Sequence, residues 1–184
     1  MNKRRIRILL LIVAALSLLP AYLHAYKITG ASEVPTVLVG DTILVNSAAW
    51  RLKLPYTNVT LLRTGTPRRG DFVRLRTKYG FKRILGLPGE TIELRENRVI
   101  VNGSPLPLSP LHHLGTNIEN EDGHWIMFTP GKDEHRNHPP THLSPHEYFL
   151  LGDNRDDSID SREFGPVSDD VFEGKVIAVF HAAR

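Results

Sequence analysis

A serine and a lysine in this chain could share acyl-transfer chemistry. Ser32 lies in GASEVPTVLVGDTILVN, residues 30–46, three positions before a Pro-Thr pair. Lys82 lies in GFKRILGLPG, residues 80–89, beside Phe81, Ile84 and Leu85 and ahead of a Pro-Gly turn. A lysine replaces histidine as the general base for a serine when burial drives its pKa from ~10.4 toward neutrality. A rigid apolar strand provides that burial. A third segment, GDNRDDSIDSREFGPV at 152–167, holds five acids, two arginines and two serines directly after an apolar run. An Asp160–Arg162 ion pair there could brace a site, and the Ser158 hydroxyl could orient the base. Residue types alone leave plainer readings open: a loop hydroxyl, a solvent-facing strand lysine and a solvated acidic loop.

Other chemistries have weaker support. Of nine histidines, His112, His113, His124, His135, His138, His142 and His146 lie in an irregular stretch. No G-x-S-x-G elbow accompanies them, so a histidine triad is not expected. His135, His138 and His142 have plausible metal spacing, but no acid-histidine pairing on a regular element supports them, and no metal or cofactor is expected. There is no cysteine, which excludes a disulfide scaffold, a thiolate zinc site and a cysteine nucleophile. Neither a glycine-rich phosphate loop nor a dinucleotide fingerprint is visible.

The elements that must position these residues read as strands. TILVN follows Gly40-Asp41, and residues 37–46 read as two short strand pieces around that pair. FVRLR follows the turn Pro67–Asp71, and the turn Lys78-Tyr79-Gly80 returns the chain into FKRILGL. TIEL and VIVN flank the polar tip Arg95–Arg98, and Asn102-Gly103 closes that unit. Residues 104–147 are rich in Pro, His, Asn and Asp. They read as an inserted excursion, one hairpin with long loops around HWIMF at 124–128. YFLLGD at 148–153 and KVIAVF at 175–180 complete a mostly β, antiparallel meander.

The N-terminus differs in kind. Lys3, Arg4, Arg5 and Arg7 carry four positive charges, one more than the net +3 of the whole chain, so the rest is slightly acidic. A nucleic-acid-binding domain would carry its basic patch in the body of the fold, so nucleic acid is not an expected partner. The uncharged run ILLLIVAALSLLPAYLHAY fills residues 8–26. As a helix at ~1.5 Å per residue it would span ~28 Å, close to the hydrocarbon thickness of a bilayer. The expected layout is a cytoplasmic basic tip at 1–7, a transmembrane anchor at 8–26 and an exported domain at 27–184. A cleaved signal peptide ending near Leu23-His24-Ala25 is the rival reading.

Together the three segments resemble the bacterial type I signal peptidase (leader peptidase) family of Ser-Lys proteases. The likeness lies in S-x-x-P-T with GD and LVN downstream, in KRILGLPGETIEL followed by VNG, and in GDNRDDSIDSREFGPV. It covers most of 27–184, and the last element is the most specific. The resemblance implies Ser32 as nucleophile, Lys82 as general base, Ser158 orienting Lys82, and Asp160 with Arg162 bracing the site. It implies the family's antiparallel β fold, a groove for an extended peptide, and a membrane-facing apolar surface. It also implies signal-peptide-bearing preproteins as substrates, at the extracytoplasmic face of the bacterial inner membrane. Phe81 is the expected wall of the pocket for the residue before the scissile bond.

Departures from the family pattern are plain. Methionine commonly follows the nucleophile, but Glu33 stands here. Facing the site, its carboxylate would favour charged Lys82 and oppose it as a base. Gly30 occupies the position where some members carry a hydroxyl that stabilises the oxyanion. The loss of such a donor is worth ~3 kcal/mol, leaving more to the Ser32 backbone N–H. Only one candidate span is present. Two further readings follow: a relative dedicated to one substrate, such as a pilin subunit for conjugation or secretion, and a non-catalytic peptide-binding protein on the same scaffold.

Overall fold

The computed structural model describes residues 2, 4–9, 20–55, 57, 59–110, 117–129 and 136–183. Its strands are β1 (Leu23–Lys27), β2 (Thr42–Asn46), β3 (Arg51–Lys53), β4 (Thr60–Arg63), β5 (Phe72–Leu75), β6 (Phe81–Gly86), β7 (Thr91–Arg95) and β8 (Arg98–Val101). They continue with β9 (Ser104–Pro105), β10 (Leu108–Pro110), β11 (Ile118–Glu121), β12 (His124–Met127), β13 (His138–His142) and β14 (Glu147–Leu151). A single helical turn, α1 (Ser161–Phe164), then precedes β15 (Val167–Ser168) and β16 (Phe172–Phe180). A seven-stranded sheet runs in the order β1-β2-β16-β5-β6-β14-β15. Beside it lie a four-stranded sheet β13-β7-β8-β9, a three-stranded sheet β10-β11-β12 and the ribbon β3-β4. Among the described residues, every strand pair in these sheets is antiparallel.

Strand β6 is buried along its whole length. Successive side chains of a strand point to opposite faces, and the packing follows that rule. Ile84 joins Trp50, Val73, Leu75, Leu150 and Phe172 in one apolar cluster. Phe81 belongs to a second cluster with Ile28, Val37, Ile43, Val45 and Phe72. Leu85 belongs to a third with Ile92, Leu94, Phe149 and Leu151. With both faces covered, a lysine in this strand is nearly removed from bulk water. The β7–β8 hairpin turns on Glu96 and Asn97, both at positive φ, as a two-residue connection matched to strand twist requires.

Several expectations are corrected. Residues 37–39 form no strand. The Asp41 carboxylate instead accepts from Leu38 N at 3.0 Å and Ala182 N at 3.0 Å, closing a turn that delays β2 until Thr42. Most of the expected anchor lies outside the described residues, at 10–19. Its flanks 4–9 and 20–22 are helical, but Leu23–Lys27 is strand, because these residues pair with β2 from Leu23↔Asn46 to Lys27↔Thr42. Among the described residues no helix is long and apolar enough to cross a membrane. The 104–147 stretch is more than one hairpin. β11 and β12 do pair around a turn at Asp122-Gly123, but β10 extends that unit and β13 pairs with β7 in the body of the fold. Proline and polar residues obscured β13 because its strand character comes from its partner's backbone.

The excursion also supplies a counter-ion. Arg155, fully buried, donates both terminal guanidinium nitrogens to Glu121 of β11 and Nε to Gly152 O at 3.3 Å. His124 of β12 is buried beside this pair, its Nε2 3.6 Å from Glu121 Oε2. Burial, then the Arg83 and Arg155 guanidinium groups, push its pKa from 6.5 down to about 3, against the pull of Asp153. Below pH 6.5 the unfolded chain therefore binds a proton at His124 that the fold refuses until about pH 3. Stability should fall as pH drops through that window. His124→Leu should flatten this part of the curve in urea unfolding, and an unchanged slope would contradict the assignment.

Gly152 closes the fold around the site. A Cβ placed there would stand 2.1 Å from Ser158 Oγ and 2.8 Å from Ser32 O. Gly152→Ala must therefore spread two loops, at a cost of about 1–3 kcal/mol for overpacking. Chemical unfolding measures this, and a variant as stable as the parent would refute the close fit.

Candidate active site

Ser32 sits in a tight run of turns at 32–36, fastened by Val34 N→Ala31 O at 3.2 Å and Val37 N→Glu33 O at 3.0 Å. The loop after β14 holds this turn from below. Asn154 N donates to Ser32 O at 3.1 Å, and Asn154 Nδ2 donates to Ala31 O at 3.1 Å. Thr36, of the Pro-Thr pair, donates to Asp153 Oδ2 at 2.6 Å. Asp153 in turn receives Arg83 Nε at 2.8 Å and Nη2 at 2.5 Å, which ties the turn to β6. Asp153, Asn154, Thr36 and Arg83 carry these contacts, and the reading of the sequence gave them no role. The signal was there, in Asp-Asn directly after an apolar strand and in Lys-Arg within one.

Alternation along β6 sends Lys82 toward Ser32. Lys82 Nζ lies 3.3 Å from Ser32 Oγ, and it donates to Phe81 O at 2.7 Å and Tyr79 O at 3.0 Å. Lys82 is only 2% exposed. Burial lowers the Lys82 pKa from its ordinary value, while the carboxylates of Glu33, Asp160 and Asp153 pull it back up. The desolvation cost of a charged ammonium outweighs these attractions.

Glu33 faces inward. It is 4% exposed, its Oε1 accepts the Ser32 hydroxyl, and the same oxygen stands 3.7 Å from Lys82 Nζ. The carboxylate therefore reaches the site in the sense that favours charged Lys82. Gly30 is exposed, and a Cβ there would meet nothing within 4 Å, so the backbone leaves room for a side chain that this chain lacks.

The segment 152–167 is not a solvated loop. Asp153, Asn154, Arg155, Asp160 and Ser161 are all buried. Beyond Tyr148, where pairing with β15 ends, side chains take over as partners of β14. Ser161 Oγ accepts from Leu150 N at 2.9 Å, and Asp160 Oδ2 accepts from Gly152 N at 3.0 Å. Asp160 also caps α1 and receives Arg162 through Nε at 2.8 Å and Nη2 at 2.7 Å. Phe164 of α1 stacks on Tyr79 with ring centroids 4.4 Å apart, pinning the turn whose carbonyl holds Lys82.

Two predicted contacts are absent. Ser158 lines the site, but its buried hydroxyl has no hydrogen-bond partner and does not bond Lys82, whose reach is taken by two backbone carbonyls and Ser32. Phe81 is no wall of the cavity. It lies on the face of β6 opposite Lys82, packed edge-on to Tyr26 at 5.8 Å and tilted to Phe72 at 6.0 Å. Only its carbonyl enters the site. The cavity above Ser32 and Lys82 measures about 590 Å³, with Ala31, Tyr79, Ser158 and Ile159 around the pair and Lys78, Asp156, Asp157 and Glu163 as charged lining. Among the described residues no cluster of histidines and acids could hold a metal ion.

A neutral-capable amine against a hydroxyl at the foot of an open cavity can transfer acyl groups, and comparison with known proteins points the same way. The chain is similar to signal peptidase IB of Staphylococcus aureus (strain COL), 31% identical over 154 residues, 82% of this chain and 74% of the relative. It is similar to signal peptidase I V of Bacillus subtilis (strain 168), 31% identical over 164 residues, 85% of this chain and 84% of the relative. A solved signal peptidase I from Enterococcus faecalis V583 is 28% identical, covering 61% of this chain and 97% of that one, with a TM-score of 0.38. The family model described as signal peptidase, peptidase S26, matches residues 2–181. The chain belongs to the signal peptidase family, peptidase S26.

Proposed function

We propose that this protein is a serine endopeptidase that cuts signal peptides from exported preproteins, with Ser32 as nucleophile and Lys82 as general base. The observation that carries the reading is the 3.3 Å approach of a buried amine to the Ser32 hydroxyl. The attacking form has Lys82 neutral. Ser32 Oγ adds to the scissile carbonyl carbon as its proton passes to Lys82 Nζ. The oxyanion takes the Ser32 backbone N–H, because Gly30 offers no hydroxyl. Lys82 then gives the proton to the departing amine, leaving an acyl-serine. A water molecule, deprotonated by Lys82, adds to that ester and releases the mature chain's leader, restoring both side chains.

Asp160 and Arg162 act through position. Their pairing holds Gly152 and α1, and α1 holds the Tyr79 turn against the lysine. Ser158 stands ready in the same cavity as a hydrogen-bonding group for Lys82 or for substrate. The cavity wall of Ala31, Tyr79 and Ile159 receives small side chains beside the scissile bond. The working domain, which begins with β1 at Leu23, lies on the extracytoplasmic face of the bacterial inner membrane, with the apolar run before it as the anchor and the basic tip inside.

Lys82→Ala should lower cleavage of a signal-peptide-bearing preprotein by about 10²–10⁴-fold, the usual worth of a general base, and Ser32→Ala should abolish it. Gel-shift of precursor to mature protein measures both. Wild-type rates in either variant would end the proposal.

A further inference from the structure

We propose that Glu33 is a brake on the Ser32–Lys82 pair, holding the serine hydroxyl away from the lysine, and the lysine as ammonium, until substrate displaces the carboxylate. The inference rests on the reading of Ser32 as nucleophile and Lys82 as base.

Proton counting carries it. Lys82 Nζ meets three acceptors: Phe81 O at 2.7 Å, Tyr79 O at 3.0 Å and Ser32 Oγ at 3.3 Å. Three acceptors complete an ammonium, which has three N–H bonds and no lone pair. A neutral amine keeps two N–H bonds, enough for the two carbonyls, and turns its lone pair toward Ser32. The lone pair then needs the Ser32 proton. That hydroxyl has one proton, and here it is donated to Glu33 Oε1. The resting and attacking arrangements therefore exclude each other. Passing between them requires that Lys82 release a proton to water and that the Ser32 hydroxyl rotate from Glu33 to Lys82. No covalent bond of the chain changes apart from that N–H.

The charges around the pair favour the resting arrangement. Glu33 shares the site with Lys82 at 3.7 Å and is almost wholly removed from water. Its field on the amine exceeds those of Asp160 and Asp153, whose charges are already matched by Arg162 and Arg83. Lys78, Asp157 and Glu163 face the pair from the exposed cavity lining, where water screens them, while the half-buried Asp156 accepts from Thr129 N at 2.7 Å. The Ser158 hydroxyl, buried and unpartnered in the same cavity, marks a hydrogen-bonding group that the resting arrangement leaves unused. Opening the brake uses substrate binding energy, so the enzyme is slow on peptides that fill the cavity poorly.

The test compares full-length parent, Glu33→Gln and Glu33→Met in detergent, by the pH profile of kcat/KM on a synthetic peptide spanning a signal-peptide cleavage site. Removing an opposite charge at this distance moves a lysine by at least about one pH unit. The acidic limb should move down by that much in both variants, a roughly tenfold faster rate at any pH on the limb. Glu33→Met, which also removes the hydrogen-bond acceptor, should be at least as fast as Glu33→Gln. An unmoved limb, a limb displaced upward, or folded variants without activity would overturn the brake. Failure of both variants to fold would overturn it too, by giving Glu33 a structural task. The underlying dyad is judged separately: if Ser32→Ala and Lys82→Ala are inactive while the Glu33 variants keep the parental limb, only the brake fails.

Discussion

The whole arrangement depends on keeping one amine dry. Lys82 lies in a strand covered on both faces, and its charged form has no route to bulk solvent except through the cavity that also admits substrate. Water removal favours the neutral amine; three carboxylates favour the ammonium. Burial prevails, so the Lys82 pKa lies below that of an ordinary lysine. The apolar clusters around Ile84, Leu85 and Phe81 accordingly have two tasks. They hold the sheets together, and they set the dielectric in which the amine titrates.

A second layer fixes geometry. Buried ion pairs, Arg83 with Asp153, Arg155 with Glu121 and Arg162 with Asp160, tie together segments distant in sequence. Such pairs offset desolvation only when their hydrogen bonds are nearly complete, so their value lies in defining position. Two of them lead back to Ser32 or Lys82, and the third, Arg155 with Glu121, reaches Gly152 O. Arg83 and Asp153 anchor Thr36, Asn154 takes the Ser32 carbonyl, and Asp160 holds the loop that stacks Phe164 on Tyr79. Even the proline- and histidine-rich excursion is recruited, since it delivers Glu121 to Arg155. It packs as part of the body.

Legible in the residues were the candidate Ser32–Lys82 pair and most hairpins. Ser32, Lys82 and the run 152–167 do meet in space, and the alternating runs before and after Lys78-Tyr79-Gly80 do form β5 and β6. Side-chain direction was harder. Phe81 looked like a pocket wall because it neighbours Lys82 in sequence, yet neighbours on a strand face opposite ways. Ser158 looked like the lysine's partner, but backbone carbonyls of Tyr79 and Phe81 came closer. A motif names side chains and is silent about main-chain acceptors. β13 was invisible because pairing with β7 lends strand form to a proline-rich piece. Glu33 was conspicuous as a departure, but only the turn geometry at 32–36 reveals that it points inward.

That inward carboxylate makes the balance at Lys82 closer than in a site without one, and it turns the amine's ionisation into the quantity on which everything else rests. Nitrogen-detected NMR of the lysine side chains in the full-length protein, with Lys82 identified by its loss in Lys82→Arg, measures it directly. The Lys82 signal should titrate below the ~10.4 of an unburied lysine. A Lys82 signal that titrates at or above that value would contradict this.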